Sequence, residues 1–110
     1  MKSYTDIEQS KKLAKILPLE SADMYWDYDV QKHEHYPMVM DEQFDDTCVK
    51  AWSLAALLGA LPEIQGCKPV IALDDNYTTY PHITDLHTKA NNLIDACYEM
   101  ILKLHEQNLL

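Results

Sequence analysis

Residues 70–80 read VIALDDNYTTY, and this stretch decides the fold class. Val70-Ile71-Ala72-Leu73 is short, apolar and rich in β-branched side chains. Asp74-Asp75-Asn76 is turn chemistry, and Tyr77-Thr78-Thr79-Tyr80 has strong β propensity. Two such runs around a polar turn predict a β-hairpin, closed by Pro81. Helical patterns lie on both sides of it. The expected architecture is therefore α+β, with three main helices packed on a small antiparallel sheet that contains the hairpin near residues 70–80.

Upstream, AWSLAALLGALP spans residues 51–62. Leu54, Leu57, Leu58 and Leu61 repeat at i, i+3, i+4, i+7, which is one face of a buried helix. Pro62 ends it. Its start is open between two caps: Asp46 or Thr47 for a long helix, or Ser53 for a short one with Trp52 stapled onto Leu57. Further back, residues 5–17 form a helical pattern, with Thr5 as N-cap, Glu8 completing a capping box, and Pro18 as the stop. Downstream, Asn92 is a good N-cap for a helix over about residues 93–107. Leu93, Cys97, Met100, Ile101 and Leu104 mark its apolar face. Residues 84–91 suit a further helical turn. Between the first two helices, residues 25–30 suit a strand, and residues 31–46 a surface loop with one short element.

At 110 residues with 47% apolar content, the chain is expected to be a single domain with its own core. Nine lysines face 18 acids, a net charge of −9, and there is no arginine. Arginine is the side chain that reads phosphate and guanine edges, so direct nucleic-acid binding is not expected. An anionic membrane surface is equally unsuited. Cys48, Cys67 and Cys97 are odd in number and none are paired as CxxC, which reads as reduced thiols in the cytoplasm. The N-terminal stretch has no apolar signal core.

Three blocks carry a resemblance: IEQSKKLAKILPLESADMYW, AWSLAALLGALP and IDACYEMILKLHEQNLL. Together they cover roughly half of the chain. They resemble shared blocks of small uncharacterised proteins encoded by prophages and mobile elements of gut bacteria. The resemblance implies a mobile-element origin and no assigned activity. Those proteins often show Pro-Cys before the Trp-Ser pair and Asn-Pro where this chain has Asn92-Leu93, which favours short helices capped at Ser53 and Asn92. Lys50-Ala51 departs from that pattern. The acidic middle, residues 27–46, lies outside the resemblance.

That acidic middle is the most unusual feature. Residues 20–46 hold nine acids against Lys32 alone. Carboxylates are interleaved there with large rings: Trp26, Asp27, Asp29, Tyr36, Asp41, Glu42, Phe44, Asp45 and Asp46. A negative surface with aromatic anchors suits a basic protein partner, and in a phage-borne protein it suits mimicry of DNA charge. The first functional expectation is thus a non-enzymatic interaction protein. The second is a metal-binding module or small metal-dependent enzyme. In His33-Glu34-His35, two imidazoles at i, i+2 share a strand face, and His82 or His87 would add a ligand for a transition metal. Otherwise no cofactor is expected. The third is a homo-oligomeric subunit built on an exposed Leu, Tyr or Trp patch. Catalytic signatures are missing. There is no GxSxG, and two glycines are too few for a P-loop or dinucleotide fingerprint. The remaining acid pairs fit turns and solvated faces.

Overall fold

Asp6, not Thr5, opens the first helix. Its carboxylate accepts from Gln9 N at 2.8 Å, and the Gln9 side chain accepts from Asp6 N at 3.1 Å, a reciprocal capping box. Thr5 is instead fully buried, with its hydroxyl accepting from Trp52 N at 3.0 Å. The computed structural model describes residues 2–42, 44–45, 47–81, 83 and 85–110. In chain order these form α1 (Ile7–Leu13), a 3-10 turn (Leu19–Ser21), β1 (Met24–Asp29), β2 (Glu34–Val39), β3 (Val49–Ala51), α2 (Leu54–Ala60), β4 (Val70–Ala72), β5 (Tyr77–Thr79), β6 (His87–Lys89) and α3 (Leu93–Glu106). The class is α+β. The described strands form two three-stranded antiparallel sheets rather than the one anticipated, ordered β2-β1-β3 and β4-β5-β6.

The helix starts follow local capping chemistry. Ser53 Oγ accepts from Ala56 N at 3.2 Å, so α2 is the short alternative. Asp23 holds that cap from the other side, accepting from the Ser53 amide at 2.9 Å and from its hydroxyl. Asn92 Oδ1 accepts from Asp95 N at 2.8 Å and starts α3. The predicted hairpin is β4–β5, turning through residues 73–76 with Asn76 in the left-handed region at φ 49°.

Two segments differ from their sequence reading. Residues 34–39, expected in a loop, are a full strand. Residues 87–89, expected to be helical, are β6. Thr88 points inward there, its hydroxyl donating to Ala96 O of α3 at 2.6 Å.

The core is centred on α3. Ile94, Cys97, Met100, Ile101 and Leu104 pack with Leu13, Leu17, Trp52, Leu57, Tyr80 and Leu86, all nearly inaccessible to solvent. α3 lies against β5, β6 and α2, while α1 lies against β3. Tyr80 is buried and donates its hydroxyl to Pro62 O at 2.7 Å, and desolvation pushes its phenol up to about 12. Burial likewise raises the Cys97 thiol, a small core hydrophobe beside Thr78. Among the described residues, no helix is long and apolar enough to cross a membrane.

Candidate acidic ribbon

β1 pairs with β2 over its whole length, but with β3 only at Met24, Tyr25 and Trp26. Beyond Trp26 the hairpin is therefore a two-stranded ribbon, turning through residues 30–33 with His33 left-handed at φ 53°. All residues from 30 to 36 are exposed, and β2 makes its extensive contacts with β1 alone. The molecule measures 50 Å along its longest axis, against 27 and 20 Å.

The register sorts the side chains. Residues directly opposite across an antiparallel pair share a face. Tyr25↔Met38, Asp27↔Tyr36 and Asp29↔Glu34 make one face; Trp26↔Pro37 and Tyr28↔His35 make the other. Asp27, Asp29 and Glu34 thus line one side of the ribbon around Tyr36. Tyr36 donates its hydroxyl to Asp27 Oδ2 at 3.1 Å, and this bond, with a smaller contribution from burial, raises its phenol above the ordinary tyrosine value. Asp29 Oδ1 accepts from Gln31 N at 2.9 Å and Lys32 N at 3.2 Å, which fixes the turn. Among the described residues, the ion pairs are Lys2 with Asp6 and Lys2 with Asp95. None of the three ribbon carboxylates joins one.

The other expected contact residues are distributed differently. Trp26 is on the opposite face, where its indole donates to Thr5 O at 3.1 Å and meets Tyr4 edge-on with ring centroids 5.6 Å apart. It anchors the ribbon to the body. Asp41 accepts the Tyr25 hydroxyl at 2.7 Å, and that bond, more than burial, raises the Tyr25 phenol strongly. Phe44 packs edge-on against Tyr25 at 5.4 Å, away from the ribbon tip. Asp45 is a turn residue: the Thr47 hydroxyl, then the Thr47 amide, hold its carboxyl below the usual value. Glu42 is exposed in the same loop, and Asp46 lies outside the described residues. Glu34, one of the nine acids of the stretch but not among the expected contact residues, is the further member of the acidic face. Period-two counting from Asp27 and Asp29 could not reach it without the hairpin register.

Among the described residues, His33, His35 and His87 do not converge on a metal site. His33 Nδ1 lies 3.5 Å from the Tyr28 hydroxyl, and the His35 ring packs on Tyr28 at 4.9 Å. His87 belongs to the other sheet, beside Tyr77. His82 lies outside the described residues. Among the described residues, no three His, Cys, Asp or Glu side chains gather to hold a metal ion.

Compared with family models, curated proteins and solved structures, the chain matches none.

Proposed function

We propose that this chain is a non-enzymatic binding protein that engages a basic protein partner through the β1–β2 ribbon. One observation carries the reading: the cross-strand register aligns Asp27, Asp29 and Glu34 on one side of an exposed ribbon, around Tyr36. A carboxylate row speeds encounter with a positive surface, and an aromatic ring among the charges supplies contact area once the partner is docked. Because these carboxylates form no ion pair among the described residues, no such bridge has to break first. If the chain is phage-borne, as its sequence blocks suggest, host proteins with nucleic-acid-binding surfaces are the natural basic targets.

The test is capture of partners by the immobilised chain at low and raised salt, beside the variant Asp27→Asn/Asp29→Asn/Glu34→Gln. Basic proteins held by the wild type should be released by salt and lost with the variant, because screened charge is the attraction. Equal capture by both chains ends this reading.

A further inference from the structure

A second feature, independent of the ribbon, is a groove of about 520 Å³ between α1 and β3. Its floor is apolar: Leu19 from the 3-10 turn, Phe44 from the loop and Val49 from β3. Its rim carries Lys11 and Lys15 from α1 and its C-terminal turn, and Lys50 from β3. Three of the nine lysines of a chain with net charge −9 therefore surround one groove.

Lys11, in α1, and Lys15, in the turn that follows it, are both exposed and both line the groove. Among the described residues, none of the three is ion-paired. The Lys50 ammonium donates to Leu19 O at 3.3 Å and sits 5.2 Å from the centre of the Phe44 ring, which holds its charge at the groove while leaving it donors to spare. Leu19 is 45% exposed, a large apolar side chain facing water. The groove beside α2 and β4 is of nearly equal size, about 510 Å³, yet its rim balances Glu63 against Lys68. A rim that is positive among the described residues is thus not a general property of this surface.

We propose that the α1–β3 groove binds a free amphipathic organic anion, a monocarboxylate with an apolar body, that lays its body on Leu19, Phe44 and Val49 and its carboxylate among the three ammonium groups. The volume is in the range of small-molecule sites. Apolar floor and positive rim complement the two halves of such a molecule. A purely apolar ligand leaves the lysines uncompensated, and an inorganic anion leaves the floor wet.

The probe is decanoate, with decanol as its uncharged counterpart. Saturable decanoate binding is expected, mapped by amide chemical shifts to residues of α1, the 3-10 turn and β3. Decanol should bind about tenfold more weakly, since three screened contacts are each worth a fraction of that. Lys11→Gln/Lys15→Gln should lose a comparable factor; both side chains are exposed and outside the core, so the variant keeps its fold. Cys48, which also lines the groove, gives a separate readout. Decanoate should slow its modification by a thiol reagent and leave Cys67, half-buried elsewhere, unchanged. Equal affinity for decanol, shifts mapping to the α2–β4 groove, absence of saturation, or equal protection of both cysteines would each overturn the proposal.

Discussion

Lys2 Nζ stands 2.8 Å from Asp95 Oδ1, an ion pair between residues 93 apart in sequence that ties the N-terminal segment to the first turn of α3. Gln9 Nε2 also donates to Asp95 at 2.8 Å, and Asn92 Nδ2 to its other oxygen at 2.9 Å. Burial pushes this carboxyl up, but the three donors outweigh it and hold its value below the ordinary one. The folded group thus titrates below the unfolded one, which loses its proton near about pH 4. Its contribution is complete above that pH and is lost as pH falls through the folded value. Asp95→Asn should cost about 1–2 kcal/mol at neutral pH, through weakened bonds and a lost charge at the helix start. Urea denaturation across pH checks it: the gap between wild type and variant should narrow as pH falls from the ordinary aspartate value through the lower folded one. A pH-independent gap would mean the charge is irrelevant.

Thr5 gives a second prediction. Its fully buried hydroxyl accepts from Trp52 N and shares a 2.8 Å hydrogen bond with Ser10 Oγ. Thr5→Val keeps the shape and strands a buried N–H, so it should destabilise by about 1–3 kcal/mol. Thr5→Ser, which keeps the hydroxyl, should recover most of that stability. Measured urea midpoints of the two variants that coincide would show the methyl, not the hydrogen bond, to be what matters.

These long-range ties explain how far the sequence was legible. Asn92 was readable because a cap is decided within three residues, and the β4–β5 hairpin because its turn lies between two apolar or aromatic runs; Ser53 was one of two competing starts for α2, which the local pattern alone does not separate. Thr5 looked like a cap because the alternative, holding Trp52, is invisible locally. β2 was hidden by Pro37, which argues against a strand. Pro37 sits opposite Trp26 on an edge strand, where a missing N–H costs the ladder least. β6 is three residues long, too short for alternation to show. The lysine-rimmed groove draws on four separate segments, so no spacing rule could have assembled it. Of the acidic stretch, Asp27, Asp29 and Glu34 share one face of the ribbon. Asp41 and Asp45 bind their own neighbours.

Tyr36 supplies a spectroscopic check on the acidic face. Its hydroxyl bond to Asp27 raises its phenol. Such a group favours the folded state below the ordinary tyrosine value, and that contribution is lost as pH rises through the folded one. Near-ultraviolet titration of Asp27→Asn should show one tyrosine ionising at lower pH than in the wild type, assigned by its disappearance in Tyr36→Phe. An unchanged titration curve would place Tyr36 away from Asp27 in solution and weaken the case for a pre-formed carboxylate row.

The ribbon's independence from the body gives the last prediction. Trp26 is the final β1 residue with a described hydrogen bond to the body, through Thr5 O. Beyond it, the Tyr28 contacts with His33 and His35, the Tyr36 bond to Asp27 and the Asp29 turn bonds all lie within the hairpin. Asp27 and Tyr36 face each other across the strands, so they can be joined directly by a tight turn. Replacing residues 28–35 by Asn-Gly, the favoured two-residue hairpin turn, should leave the core intact, because no buried apolar surface is removed. Stability should change by about 0.5 kcal/mol or less, as for changes on an exposed surface. The same deletion takes away Asp29 and Glu34, so partner capture should fall while urea unfolding stays cooperative at nearly the same midpoint. A large loss of stability would show that the ribbon is part of the fold. Full stability with undiminished capture would move the binding surface elsewhere.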